Sequence, residues 1–457
     1  MSENKNILIW DDGGSEEGYN FICSKLQDEN MSYTRSKDIF SLQKGIIFNE
    51  IDALILFEND NSVLFDRILE LVLKLNPWFP VIFIYKTFKP AGLHQMVSMG
   101  LFDAIDAECI ETECVETFQA LVAYLTNLYT FPPKFRQIFS PQGFGPLIGN
   151  SKAMQEIYQF IFRLMEHDIT VSIYGQSGTG KEIVARLLHQ NSARDTKKFV
   201  TINCAAVPES LLESELFGHE KGAFTGALNE RVGKFGFAHE GSLFLDEIGE
   251  MSLPLQAKLL RIIEQGQFEK IGSNTTEKVN VRLITATNRD LKSELEKGTF
   301  REDLFFRINV FPLHLPPLNE RHNDALLLSH RFINRFSNSY IKGISKSTLK
   351  KIKSAPWEGN VRQLENTLTH LAVLEDSDIL DKEIITSLST ANNNNTEKLS
   401  EEKELPFKFD KLSDLERWQI DRIMAKSEGN ISEAARRLGI SRVALYRKLG
   451  KQEENEE

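Results

Sequence analysis

Cysteine is scarce in this chain. There are four in 457 residues (Cys23, Cys109, Cys114 and Cys204), with no CxxC pair and no metal-ligand spacing. That excludes a disulfide scaffold and a structural zinc module, and leaves reduced thiols as the expectation. The N-terminus has no basic-then-apolar signal pattern, and no apolar run approaches membrane-spanning length. A cytoplasmic protein without a membrane partner is therefore expected. A surplus of positive charge is missing too. The formal net charge is -11, so the molecule as a whole does not bind polyanions and any nucleic-acid surface must be local. Internal repeats are absent, which argues against a solenoid. What remains is 41% hydrophobic and 26% charged, an ordinary globular composition long enough for roughly two to four domains.

The order of apolar runs divides the chain. Within 6–128, Asn6–Trp10, Ala53–Phe57 and Val81–Tyr85 read as buried parallel strands, and Leu64–Leu75 and Val115–Leu128 as helices. That alternation predicts an α/β domain over about 1–130. Phe131–Pro146 carries four prolines and two glycines and reads as a linker over 131–146. A second, larger α/β segment follows from 147 to about 318, with helices to about 388. Residues 389–407 contain an Asn run and a Glu/Lys-rich stretch and read as a flexible tether. A small all-α segment, about 408–452, precedes an acidic tail.

The second segment contains a nucleotide site. Ile169–Tyr174 is an apolar strand that runs into Gly175, Gln176, Ser177, Gly178, Thr179, Gly180, Lys181 and Glu182, and Ile183–His189 continues as a helix. Strand, glycine-rich loop and helix start stand in the order a phosphate-binding loop needs. Backbone N–H groups and the helix N-terminus hold the phosphates, and Lys181 reaches the β- and γ-phosphates. The usual Ser/Thr after the lysine is Glu182, so Mg²⁺ must lean on phosphate oxygens, water and another acid. Ser242–Asp246 is an apolar strand ending in Asp246 and Glu247, where Asp246 would hold Mg²⁺ and Glu247 would polarise the attacking water of ATP hydrolysis. A third strand, Val281–Thr287, ends in Asn288, placed to sense the γ-phosphate or position water. Arg301 and Arg307 lie six residues apart, about 240° net around a helix, so they share no helical face. Either the helix stops between them or they do different work.

Two further stretches lie outside the engine. Gly222, Ala223, Phe224, Thr225, Gly226 and Ala227 surround one ring and one hydroxyl with small residues. Alone, the hexapeptide reads as a buried turn; beside a nucleotide site it reads as a loop tip offering Phe224 and Thr225 outward. Residues 430–449 have helix-turn-helix spacing: Ala434 and Ala435 permit close packing, Gly439 ends the first helix and Ser441 caps the second. Residues 431–451 hold six Lys/Arg against one acid, a local reversal of the chain's charge. Ser441, Arg442, Ala444, Tyr446, Arg447 and Lys448 are the candidate contacts to double-stranded DNA.

Together these strings resemble the bacterial enhancer-binding proteins, the AAA+ activators of sigma-54 RNA polymerase. The resemblance runs from about Leu147 to Leu374 and rests on FVTINCAA (199–206), ESELFGHEKGAFTGA (213–227), FREDLFFRINV (300–310) and WEGNVRQLEN (357–366). The basic C-terminal segment resembles their Fis-type domain. The resemblance implies that the 222–227 loop contacts sigma-54, that Asn203 holds Glu247 until the γ-phosphate is sensed, that Asn288 is sensor I and Arg362 sensor II, and that Arg301 and Arg307 reach a neighbour's ATP in a ring, with self-association expected from dimer to hexamer. The implied function is an ATP-driven activator opening promoter complexes; the alternative is a DNA-binding regulator that has lost sigma-54 remodelling. Family members usually have Arg at position 319 and an acid at 323, where this chain has Asn319 and Asn323.

Residues 6–128 resemble a two-component receiver, with Asp11 and Asp12 as its acidic pair. The match fails at the chemistry. Phe57 stands where the phospho-accepting Asp belongs, Tyr85 at the switch hydroxyl position, and Ala107 near the lysine position. A receiver-like domain that takes no phosphoryl group, and that reads a protein partner or a ligand or only sets oligomerisation, is expected. Acetyl phosphate treatment followed by mass spectrometry should therefore find no phosphorylated residue within 1–130; an acyl phosphate at any carboxylate there would refute this.

Overall fold

The apolar runs form two parallel sheets, each flanked by helices. The protein is described here from a computed structural model, which covers residues 5–10, 16–58, 62–224, 227–335, 341–375 and 377–381, and the single positions 424, 431 and 445. The chain divides into two compact units, 1–388 and 389–457. The acidic pair Asp11 and Asp12, the loop residues Thr225 and Gly226, the tether, and all six candidate DNA-contacting residues lie outside the described positions.

The first sheet comprises β1 (Lys5–Trp10), β2 (Met31–Ser36), β3 (Ala53–Phe57), β4 (Val81–Tyr85) and β5 (Asp103–Asp106). Its order is β2-β1-β3-β4-β5, all parallel. This is a doubly wound order. Its crossovers are the helices α1 (Glu16–Asp28), α2 (Ile39–Ile47), α3 (Ser62–Leu75) and α4 (Pro90–Met99), and α5 (Ile110–Thr130) closes the layer. Phe57 ends β3 buried, inside the core cluster that holds Ile7, Ile9 and Ile55. The neighbouring Glu58 is also buried, and its carboxylate accepts the backbone N–H groups of Lys86 and Thr87, both at 2.6 Å. The one carboxylate adjacent to the missing acceptor is thus engaged in holding the loop after β4.

The stretch read as a linker, 131–146, is a packed plug. It forms a helical turn at Pro133–Arg136 and two strands, Phe139–Ser140 and Gly143–Phe144, in a three-stranded antiparallel sheet with Leu147–Ile148. Phe131, Phe139 and Phe144 are buried, and Phe139 stacks on Tyr124 of α5 at 4.9 Å between centroids. Proline and glycine here shape tight turns between aromatic anchors, and the buried aromatic area outweighs the tendency of such a composition to stay open.

The second sheet comprises β6 (Val171–Tyr174), β7 (Phe199–Asn203), β8 (Ser242–Asp246), β9 (Arg282–Thr287) and β10 (Phe311–His314), ordered β7-β8-β9-β6-β10 and parallel throughout. Around it pack α6 (Lys152–Met165), α7 (Lys181–Gln190), α8 (Glu209–Phe217), α9 (Leu253–Gln265) and α10 (Glu302–Ile308). α6 buries Met154, Ile157, Tyr158, Ile161, Leu164 and Met165, the stripe of an amphipathic helix. Arg282 opens β9 nearly fully buried. Its guanidinium donates to Leu164 O at 2.9 Å and Leu188 O at 3.0 Å, satisfying carbonyls at the ends of α6 and α7. A helical lid follows: α11 (Asp324–Arg335), α12 (Lys346–Ser354) and α13 (Asn360–Leu374). No helix among the described residues is long and apolar enough to cross a membrane.

Candidate functional site

In a parallel sheet the strand ends carrying free backbone groups all face one edge, and ligands bind there. β6 ends at the loop 175–180, β8 at Asp246 and β9 at Asn288. A cleft of about 350 Å³ opens there, lined on one side by Gly178, Lys181 and Asp246 and on the other by Leu328, Phe332 and Arg362 of the lid.

The loop has the backbone a phosphate cradle needs. Gly178 (φ +79) and Gly180 (φ +105) lie in the left-handed region, and α7 begins at Lys181 directly after Gly180. Lys181 is 7% exposed; its ammonium donates to Gly175 O at 2.9 Å and pairs with Glu247 Oε1 at 3.3 Å. Glu247 holds a left-handed backbone (φ 52, ψ 50), an uncommon conformation for a residue with a side chain. Its other oxygen accepts the Asn288 N–H at 3.1 Å. Lys181, Glu247 and the end of β9 are thereby drawn into one cluster. The Asp246 carboxyl sits above its usual range, chiefly because it is buried and next because Glu247 adds like charge, with Lys181 opposing. A bound cation would reverse that balance. Among the described residues no group of three or more His, Cys, Asp or Glu is arranged to hold a metal. Cys204, buried beside the two acids, has its thiol pushed up to about 12 and is inert as a nucleophile.

One expectation requires correction. Asn203 does not hold Glu247: its amide donates to Asp246 Oδ2 at 3.1 Å. The cause is register, because Asn203 on β7 stands directly opposite Asp246 on β8. Glu182, read with the loop as part of the nucleotide site, lines the cleft. It is exposed and pairs with Arg186 one helical turn on, at 2.7 Å. Thr179 is buried instead, its hydroxyl donating to Gln176 O at 2.8 Å.

Arg362 is exposed, and its guanidinium donates to the Ser177 hydroxyl at 3.3 Å. Arg301 precedes α10 in extended backbone (φ -83, ψ 137) and Arg307 lies in its last turn, so the helix separates them as their angular spacing requires. Both are exposed and neither lines the chain's own cleft. Arg301 forms a two-pronged pair with Asp303, at 2.6 and 3.0 Å. The 222–227 loop is closed at its base by Gly222 N–H to Ala227 O at 2.9 Å, and Ala227 is buried. Phe224 is 41% exposed, its edge against the His219 ring at 5.0 Å.

Sequence reasoning missed two residues that join lid to loop. Asn360, fully buried with φ +52, donates to Gln176 Oε1 at 3.0 Å and Ser177 O at 3.1 Å, and accepts the Leu318 N–H at 2.7 Å. Arg321, 1% exposed, donates to Thr179 O at 2.9 Å. Asn360 lies within the WEGNVRQLEN string, and an Asn at the first position of a helix is the residue most able to adopt that backbone while bonding nearby groups. That signal was available.

Among known proteins, the sigma-54 interaction domain matches residues 147–314, an AAA+ ATPase lid domain matches 319–402, and the Fis-family bacterial regulatory domain matches 411–451. The transcriptional regulatory protein ZraR of Salmonella typhimurium is 39% identical over 380 residues, covering 82% of this chain and 83% of that protein. The regulatory protein AtoC of Escherichia coli is 44% identical over 313 residues, 67% of each chain. The Nif-specific regulatory protein of Klebsiella oxytoca is 45% identical over 291 residues, 60% of this chain. The chain spans just over half of that last relative, 56% of its length.

The tight meeting of lid and loop supplies a test. A Cβ on Gly178 would lie 2.4 Å from Gly359 O, at a positive φ. Gly178→Ala is expected to force the lid from the loop and weaken ADP binding tenfold or more, about 1.4 kcal/mol, in a fluorescent-nucleotide titration. Unchanged affinity would show that this contact is not part of the binding geometry.

Proposed function

The chain belongs to the sigma-54-dependent enhancer-binding activators, and from that footing we propose that it hydrolyses ATP to remodel sigma-54 RNA polymerase at promoters. The observation that carries the reading is the joining, in one domain, of the Lys181–Glu247–Asp246 cluster and the 222–227 loop with a half-exposed Phe224.

The residues act as follows. The N–H groups of 178–181 and the Lys181 ammonium take the phosphates, and Lys181 thereby exchanges Glu247 for phosphate oxygen. Glu247, released from Lys181 but still tied through the Asn288 N–H, is free to orient and accept a proton from water. Asp246 is the residue to hold Mg²⁺, which supplies neutralisation of phosphate charge when bound. The fit is to a cation that keeps waters and phosphate oxygens, because the described residues offer no cage. Asn288 and Arg362 flank the phosphates from strand end and lid. Arg301 and Arg307, absent from their own cleft, suit a neighbour's site in a ring, proposed as a hexamer. Arg301 must first leave Asp303. Hydrolysis then depends on assembly, and movement at Glu247 and the sheet edge is passed to the loop carrying Phe224 and Thr225. The basic segment around Arg442 and Arg447 tethers the ring to upstream DNA, gaining affinity by multivalency.

The test is open-complex formation on a sigma-54 promoter by purified protein, polymerase and ATP. Wild-type protein is expected to open the promoter. Thr225→Ala is expected to lose opening at least tenfold while keeping its ATPase rate. Hydrolysis without opening by the wild type would leave the alternative, a regulator that has lost remodelling.

A further inference from the structure

We propose that the receiver-like domain is held on the lid by a proton-sensitive latch, His94 against His330, and that acidification releases it and loosens the nucleotide cleft. The inference rests on the nucleotide reading above only for the second of these consequences.

The latch joins α4 of the first domain to α11 of the lid. His94 and His330 are 8% and 2% exposed, and their Nδ1 atoms lie 3.0 Å apart. His94 Nε2 meets Asn334 Oδ1 at 2.9 Å, and the Asn334 amide donates to Ser98 Oγ at 2.7 Å. The chain of bonds sets the tautomers. Asn334 Oδ1 only accepts, so His94 donates through Nε2; its Nδ1 then accepts from His330 Nδ1–H. Both rings are neutral in this arrangement. A proton added to His94 Nδ1 would set two N–H groups against each other. Burial lowers the pKa of both, with His330 brought down to about 3 and the neighbouring ring adding to the effect.

The surroundings do not offset that cost. A cavity of about 100 Å³ lies beside His330, large enough for water to enter. The charged groups facing it are Asp103 and Asp106 on β5, Glu113 on α5, and Lys346, Lys350 and Lys353 on α12. Asp106 pairs with Lys346 at 2.7 Å and Glu113 with Lys353 at 2.6 Å, while Asp103 takes the Thr117 hydroxyl at 2.6 Å and the Asn323 amide at 3.4 Å. Lys350 is exposed at the rim. Asn323 also accounts for a family departure, because an acid at that position would face Asp103 across the seam.

The sign follows from the depressed imidazole values. Docking is fully present above the ordinary histidine pKa, about 6.5, and is lost as pH falls below it, since only the undocked rings take protons. Between pH 7.5 and 5.5 His330, brought down to about 3, shifts the equilibrium about tenfold toward release, and the lowered His94 adds to it in the same direction.

α11 connects this seam to the cleft. Leu328 and Phe332 line the cleft, whereas His330 and Asn334 meet the first domain. The two sets are offset by two residues, about 200° around a helix, so opposite faces of one rigid rod carry them.

Hydrogen exchange of the full-length protein tests this, with protection factors corrected for intrinsic pH dependence. Protection of segment 90–99 is expected to fall tenfold or more from pH 7.5 to 5.5, with 282–287 unchanged. The double substitution His94→Gln and His330→Gln, amides that do not titrate, should abolish that response. Constant protection in the wild type, or an equal fall in the Gln variant, overturns the latch. At pH 7.5, Lys346→Glu with Lys353→Glu breaks the flanking pairs and reaches the seam without altering the imidazoles. It is expected to expose 90–99 and weaken ADP binding threefold or more; exposure with unaltered ADP affinity overturns the link to the cleft. Absence of ADP binding by the wild type would defeat the nucleotide reading and leave the exchange result standing.

Discussion

One ion pair organises the catalytic edge: Lys181 and Glu247, 3.3 Å apart and 7% and 16% exposed. In this state each satisfies the other. A poorly solvated ammonium and carboxylate cannot be separated without a replacement partner, because an unpaired buried charge is costly. In the proposed cycle phosphate is the partner that takes Lys181, and its arrival frees Glu247, so that the base is withheld until substrate is in place. The left-handed backbone at Glu247 and its bond to the Asn288 N–H make the same residue the point where strand ends β8 and β9 meet. A change at the phosphate is then felt along the sheet edge rather than at one side chain.

The lid closes the same arrangement from above. Asn360 and Arg321 bond the loop carbonyls of Ser177 and Thr179, so the phosphate cradle is part loop and part lid. α11 carries cleft residues on one face and the receiver-like domain on the other. The aromatic plug at 131–146 and the shared core of α5 and α6 leave the first domain joined to the second by packing as well as by chain. If the first domain is the input domain proposed, this packing gives it a physical route to the nucleotide.

The parts legible from sequence were those fixed by local chemistry. The strand, glycine turn and helix around Lys181 are written within a dozen residues, and Phe57 in place of an acid is a single letter. Helical geometry excluded one shared face for Arg301 and Arg307, but that the helix begins only after Arg301 came from the structure. Illegible parts depended on register or on long-range packing. Asn203 reaches Asp246 because two strands align there, and no reading of either strand alone supplies that pairing. The plug was misread because proline and glycine mark turns whether or not the aromatic residues between them find a core. The pairing of Glu182 with Arg186, one turn along α7, was not read from its neighbours. The imidazole pair joins residues 236 positions apart, beyond any local signal.

The central claim is that one nucleotide cycle is shared between adjacent copies. Mixing two variants tests it most directly: Arg307→Ala, lacking the group proposed to reach across, and Glu247→Gln, lacking the base. Each alone should hydrolyse ATP at least a hundredfold more slowly than wild type, consistent with losses of this kind for a phosphoryl-stabilising arginine or a catalytic base. Mixed at equal concentration, they should recover a substantial fraction of wild-type rate, because an intact base in one copy meets an intact arginine from the next. A mixture no faster than the sum of its parts would contradict the account.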